Sequence, residues 1–165
     1  MNGSVNIKLA GQKDLRAILD LVGDYERYDV EFARRYYELY FSNNKITEKD
    51  QVYVARLNEK IIGVIGFSRD YFSSDYSYWL SWFVVDKKYR GEKEKGLNVA
   101  KKLLKKVETE LKKRKINKLF VSTEDTNRQA KSFYAKNKFR TEAVLRDYYY
   151  KGEDQLVLSK MLNER

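Results

Sequence analysis

The residues from Val84 to Glu108, VVDKKYRGEKEKGLNVAKKLLKKVE, have the types and spacing of an anion-binding turn. An apolar run leads into a basic, glycine-containing loop and the loop into a helical pattern, so the first-turn N–H groups and the positive end of the helix dipole face the loop. Gly91 and Gly96 let the backbone turn and let a phosphate approach it, while Lys93 and Lys95 add positive charge. The plain alternative is an ordinary connection before a solvated basic helix. Neither the Gly-Lys-Ser/Thr ending of a Walker loop nor the dinucleotide G-x-G-x-x-G is present, which excludes both of those phosphate binders. The chain has no Cys and no His, so thiolate nucleophiles, disulfides, thiolate-bound zinc and imidazole bases or ligands are excluded as well, and no metal site is expected.

The rest of the composition limits what can position this turn. A chain of 165 residues suits one domain over 1–165, and 42% hydrophobic with 15% aromatic content is too rich for disorder. No apolar run approaches the roughly 20 residues that span a bilayer, and MNGSVNIKLAGQKD lacks the apolar stretch of a secretory signal, so a cytoplasmic protein with no membrane segment is expected. Thirty-four Lys and Arg against 24 Asp and Glu give a net charge of +10, which favours an anionic ligand: a phosphorylated cofactor, a nucleic acid or a membrane surface.

Residues 5–10 alternate as a short strand, and QKDLRAILDLV puts Leu15, Ile18, Leu19 and Val22 on one helical face. A second helix is expected over 29–41, with Asp29 as its cap and Phe32, Tyr36, Leu39 and Tyr40 as its apolar face. QVYVARL, NEK and IIGVIGF read as strand, tight turn and strand of an antiparallel hairpin, and YSYWLSWFVVD continues the sheet. The helix after the loop has an apolar stripe of Val99, Leu103, Val107 and Leu111 beside Ala100 and Leu104, and its other face is lysine. INKLFVST is a strand, TNRQAKSFYAKN a helix capped by Asp125 or Thr126, and QLVLSKML a closing strand after the KGED turn. The fold class is α/β, mixed and α+β-like: six to seven strands in a central mixed sheet, flanked by about four helices.

These motifs together resemble the GNAT superfamily of acetyl-CoA-dependent N-acetyltransferases. Its pyrophosphate motif, Gln/Arg-x-x-Gly-x-Gly/Ala, is similar to Lys95-Gly96-Leu97-Asn98-Val99-Ala100, with Lys95 in the first position and Asn98 replacing the central Gly. VVDKKYRG resembles Val-x-Pro-x-x-Arg-Gly with Lys87 in the proline position, and EKEK looks like an inserted loop. Asn127-x-x-Ala130-x-x-x-Tyr134 followed by Phe139 matches the family's Asn-x-x-Ala-x-x-x-Tyr-x-x-x-Gly-Phe, with Lys138 where Gly is usual, and LRDYYYKGEDQLVLSKML looks like its C-terminal strands. With the early helices and the hairpin, the resemblance covers nearly the whole chain.

The resemblance implies direct acetyl transfer to a primary amine, on a small molecule or a peptide N-terminus, with acetyl-CoA as donor and no acyl-enzyme. It implies Tyr134 as general acid toward the coenzyme sulfur and a fourth-strand N–H, that of Val85 or Val84, as oxyanion donor. The coenzyme would be held by Val84, Val85, Lys95 to Ala100, Asn127 and Tyr134, with Asn127 bonding the pantetheine or else capping its helix. Many relatives carry a basic glutamate where this chain has Trp79 and Ser122, so the proton path falls to Glu124, Asp75 or a water held by Ser81 and Ser122. Tyr36, Tyr40, Trp79 and Trp82, with Tyr37 and Tyr78, would line the acceptor side, although the second helix must also bury one aromatic face in the core. A basic nucleic-acid-binding module is the competing reading, and a coenzyme-binding relative without catalysis is a third. A monomer or homodimer suits any of them.

Overall fold

The computed structural model describes residues 4–25, 30–42, 50–69, 75–91 and 96–163. Two compact units share the chain, residues 1–68 with 81–110 and residues 69–80 with 111–165.

In the first unit β1 (Asn6–Leu9), β2 (Gln51–Leu57) and β3 (Lys60–Ser68) pair antiparallel, from Asn6↔Arg56 to Leu9↔Tyr53 and from Gln51↔Phe67 to Leu57↔Lys60. Asn58 and Glu59 join β2 to β3 with φ of 47° and 66°, the two left-handed positions of a type I′ turn, whose twist matches that of the strands. β3 is buried from Ile61 to Phe67 because helices cover both of its faces. On one face Val52, Val54 and Val64 meet Ile18, Leu19 and Val22 of α1 (Leu15–Gly23) and Ala33 and Tyr37 of α2 (Val30–Phe41). On the other, α3 (Val99–Lys113) comes so close that a Cβ at Gly63 would lie 2.9 Å from Leu103 Cδ1. Val99, Leu103, Val107 and Leu111 are fully buried, as their spacing predicts, and full burial of such side chains is worth about 1.5–3 kcal/mol each.

The apolar face of α2 differs from expectation. Phe32 and Leu39 are 66% and 45% exposed, and the inward face is Ala33, Tyr36, Tyr37, Tyr40 and Phe41. Apolar residues lie all around this helix, so spacing admits more than one face; fit decides, with small Ala33 and the flat Tyr37 ring packed at the core. The expected cap, Asp29, lies outside the described residues.

In the second unit β4 (Ser77–Val85) begins parallel to β5 (Lys118–Glu124), over Ser77↔Lys118 to Trp79↔Phe120. β7 (Glu153–Met161) pairs antiparallel along all of β5 and also with β6 (Arg140–Tyr150). Among the described residues the strand order is β1-β2-β3-β4-β5-β7-β6, a seven-stranded mixed sheet with four α-helices, as the pattern of elements predicts. None of the described helices is long and apolar enough to cross a membrane.

The end of α4 (Arg128–Lys136) fixes Tyr134 by a complete left-handed cap. Phe139 N–H donates to Tyr134 O and Lys138 N–H to Ala135 O, each at 3.0 Å, and the Tyr134 and Phe139 rings meet at 5.2 Å. That is the Schellman arrangement, with its hydrophobic contact in place. Lys138, at the position where Gly is favoured, has φ of 68°. A left-handed Cβ costs about 1–2 kcal/mol, so Lys138→Gly should raise stability by about 1 kcal/mol after the entropy of the added glycine is offset. Chemical denaturation would check this; an unchanged or lower midpoint would mean that the lysine makes a compensating contact.

Candidate active site

In the first unit, β4 carries its strain just before the residues read as the oxyanion strand. Trp82 has φ of 46°, a left-handed value rare for a bulky residue in mid-strand and the mark of a bulge that re-aims the backbone beyond it. Val84 and Val85 follow, both buried. The strand end is then pinned: Asp86 N–H donates to Ile62 O at 2.9 Å, and the Arg90 guanidinium donates to Val85 O while lying 4.5 Å over the Tyr25 ring. Arg90 thus ties the end of β4 to the start of the loop. Asp86 takes the Lys88 N–H at 2.9 Å and the Lys60 amine at 3.0 Å; burial disfavours its charge, but these donors hold its carboxyl below the usual range.

The loop enters α3 through two left-handed residues, Gly96 at φ 78° and Asn98 at φ 52°. Asn98 is the residue that stands for a family glycine, and it occupies the conformation that glycine would supply. Its carbonyl accepts the first helical bond, from Lys102 N–H at 2.9 Å, while its side-chain amide turns back to Gly96 O at 3.0 Å. The Asn98 side chain therefore does not spend its oxygen over the first-turn amides, which no helix satisfies internally. Leu97 is half-buried, Val99 fully buried and Ala100 half-buried, so the loop is anchored by its apolar members. Lys95, Lys93 and the rest of 92–95 lie outside the described residues.

Tyr36, Tyr40 and Trp82 come together. Tyr36 lies 6.4 Å from both the Tyr40 and the Trp82 rings, and Tyr37 packs beneath them, 6.3 Å from Trp82. Tyr36 Oη shares a 3.2 Å hydrogen bond with Ser81 Oγ, made close by Gly66, where a Cβ would lie 2.6 Å from that oxygen. Burial, helped by the charge of Asp50 and against the Ser81 bond, pushes the Tyr36 hydroxyl up to about 12, so it acts as a neutral hydroxyl. Tyr37 is fully buried, its hydroxyl has no partner among the described residues, and burial raises its pKa well above the ordinary tyrosine value. Tyr40 Oη accepts Val52 N–H at 3.2 Å. Tyr37, and Tyr78 in the other unit, serve as core.

In the second unit Trp79 stacks on Phe120 at 4.9 Å. Asp75, one of the carboxylates considered as base, is ion-paired to Arg69 at 2.8 Å. Asn127, not Asp125 or Thr126, caps α4: its Oδ1 accepts Ala130 N–H at 3.0 Å. Asp125 instead holds the Lys131 amine at 2.6 Å, and Thr126 bonds Glu153 at 3.2 Å. Tyr134 is buried between Phe133 and Phe139. Sequence reasoning missed Arg90 and the Trp82 bulge as positioning features. The Arg-Gly pair of VVDKKYRG was the available signal for the first; no pattern of residue types marks the second.

A separate cavity of about 340 Å³ in the first unit is bounded by Lys13, Asp20, Asp24 and Glu59 among others. Its deeper carboxylates are already engaged, Asp14 by Arg56 and Asp86 by Lys60.

Comparison with known proteins places these features in context. The model of the acetyltransferase (GNAT) family matches residues 15–139. A GNAT-family protein from Desulfovibrio desulfuricans superposes with a TM-score of 0.85 at 16% identity, covering 97% of this chain and 100% of that one. The aminoglycoside 6'-N-acetyltransferase from Enterococcus faecium gives 0.77 at 14% identity, covering 97% and 98%. The ribosomal-protein-S18-alanine N-acetyltransferase from Escherichia coli gives 0.75 at 17% identity, covering 98% and 96%. Among curated proteins, none matches the sequence significantly.

Proposed function

Because the chain belongs to the acetyltransferase (GNAT) family, whose donor is acetyl-CoA, we propose that it transfers the acetyl group directly to a primary amine and that residues 1–165 form one domain of that family. The observation that carries the reading is Asn98: standing where the family motif has glycine, it is left-handed, a conformation glycine adopts freely, at the entry to α3. The amides of Gly96 to Ala100 would take the diphosphate there, with Lys95 adding charge. Asn127 would add a bond to the pantetheine arm while it caps α4.

In the proposed reaction the neutral amine nitrogen attacks the thioester carbonyl carbon. The carbonyl oxygen, gaining negative charge, takes the N–H of Val85 or Val84, a donor preset by the bulge at Trp82 and the Arg90 tie. The C–S bond then breaks, Tyr134 gives its phenolic proton to the departing sulfur, and the proton that the attacking nitrogen sheds as the amide forms restores the phenol through solvent. An alkylammonium with a pKa near 10 is neutral in about one molecule per thousand at pH 7, so the amine must also lose a proton on the way. The Ser81–Tyr36 hydroxyl pair supports a relay of that proton to water, since both oxygens accept and donate. Tyr36, Tyr40 and Trp82 would flank the acceptor; Trp79, on the other unit's sheet, would contribute separately.

The named relatives act on different amines, an aminoglycoside and a ribosomal protein's alanine. A primary amine is the common denominator, as a small molecule or a peptide N-terminus. The test is calorimetric titration with acetyl-CoA, coenzyme A and ATP. Micromolar binding of both coenzyme A forms with much weaker ATP binding is expected; absence of coenzyme binding would overturn the reading.

A further inference from the structure

The charge of this chain is not spread along it. Residues 101–140 hold fourteen Lys and Arg and four Asp and Glu, the entire net charge of +10, whereas the remaining residues hold twenty of each sign. That segment comprises most of α3, then β5, then α4 with its cap. On α3, Lys101, Lys102, Lys105, Lys112 and Lys113 are exposed. Lys101, Lys105 and Lys112 share one face, about 6 and about 10 Å apart along the axis, with the half-buried Glu108 between the last two; these three lysines have no ion-pair partner among the described residues. On α4 and its cap, Arg128, Lys136, Lys138 and Arg140 are exposed, and no acidic residue occurs from Arg128 to Arg140.

We infer that these basic faces, each presenting its own row, bind the phosphate backbone of a nucleic acid by charge and without reading its bases. A coenzyme bound at the loop entering α3 does not account for a row that reaches Lys112 on α3, or for the separate row on α4. An anionic lipid surface fits less well. The apolar residues of α3 are all turned inward, and the exposed large hydrophobics lie on other elements: Leu9, Phe32, Leu39, Tyr76, five residues of β6 and Met161. These helices therefore have nothing to insert into a bilayer. Nor do they expose an aromatic for base stacking, since Phe133 and Tyr134 pack on each other at 5.5 Å. What remains is release of counterions from phosphates, which gives sequence-independent and strongly salt-dependent binding.

The test is fluorescence anisotropy with labelled DNA and RNA duplexes of about 20 base pairs, read between roughly 50 and 200 mM salt. Micromolar affinity for at least one of them at the low end is expected, with a log–log salt slope of about −3 to −5. Lys105→Glu/Lys112→Glu/Lys136→Glu should weaken binding at least about tenfold, and Lys8→Glu/Lys13→Glu/Lys151→Glu, with the same charge loss elsewhere, less than about threefold. If the first variant melts early, Lys105→Gln/Lys112→Gln/Lys136→Gln replaces it, with a loss in the same direction expected. No binding would overturn the inference, as would equal loss in both variants or full displacement by coenzyme A, which would make the rows part of the donor site. Stronger, variant-sensitive binding to phosphatidylserine vesicles than to either duplex would assign the faces to membranes and overturn it as well. Apart from the displacement outcome, each result is independent of whether acetyl-CoA binds.

Discussion

Tyr134→Phe should lower kcat about 100-fold while the Kd for acetyl-CoA stays within about twofold, the scale of losing one general acid. The substitution isolates chemistry from structure because of how α4 ends. Tyr134 supplies the carbonyl that closes the left-handed cap and a ring that packs on Phe133 and Phe139, and a phenylalanine keeps both. Only the hydroxyl oxygen is lost, so the cap and the ring packing should survive. The departing thiolate would then have to draw its proton from water. Steady-state kinetics with a responsive amine, alongside coenzyme titration of the same preparation, separates the outcomes. Unchanged turnover would return Tyr134 to the role of a packed aromatic. A fall in affinity equal to the fall in kcat/KM would make it a binding residue.

Local structure is legible in the sequence wherever one rule dominates. The β2–β3 turn is legible as the short polar connection NEK between two apolar runs, although it closes on Asn58 and Glu59 with Lys60 already in β3, and the α3 stripe is legible because four apolar positions on a lysine-rich helix admit only one inward face. The second helix is not, because tyrosine suits both core and surface: Phe32 and Leu39 are exposed while Ala33 and Tyr37 are buried. The α4 cap is left open among three residues for a related reason. Asp125, Thr126 and Asn127 are all competent caps in a row, and the choice follows from which neighbours take the other two, Lys131 and Glu153. The acceptor residues divide in the same way. Tyr36, Tyr40 and Trp82 meet because α2 lies over β4, whereas Trp79 is committed to Phe120, and sequence spacing carries no information on which side of a bulge a tryptophan falls.

Asn98→Glu should weaken acetyl-CoA binding about 30-fold, and Asn98→Gly should leave it within about threefold. The contrast rests on two independent properties of one position. The backbone there is left-handed, φ 52°, which glycine adopts freely and glutamate resists by about 1–2 kcal/mol. The position also opens α3, where a negative side chain favours the helix dipole by about 0.3–1 kcal/mol, so the introduced carboxylate offsets part of the strain and the fold should survive. That carboxylate would nonetheless sit where the diphosphate is proposed to lie, and two like charges about 4 Å apart repel by roughly 1–4 kcal/mol between the dielectric of water and that of a protein surface. Stability should therefore change little while affinity falls. Calorimetry gives the affinities and a thermal melt of each variant gives the control. Equal affinity in the glutamate variant would move the diphosphate off this loop, and comparable losses in the glycine and glutamate variants would mean that the Asn98 amide bond to Gly96 O, rather than the left-handed backbone, sets the loop's shape.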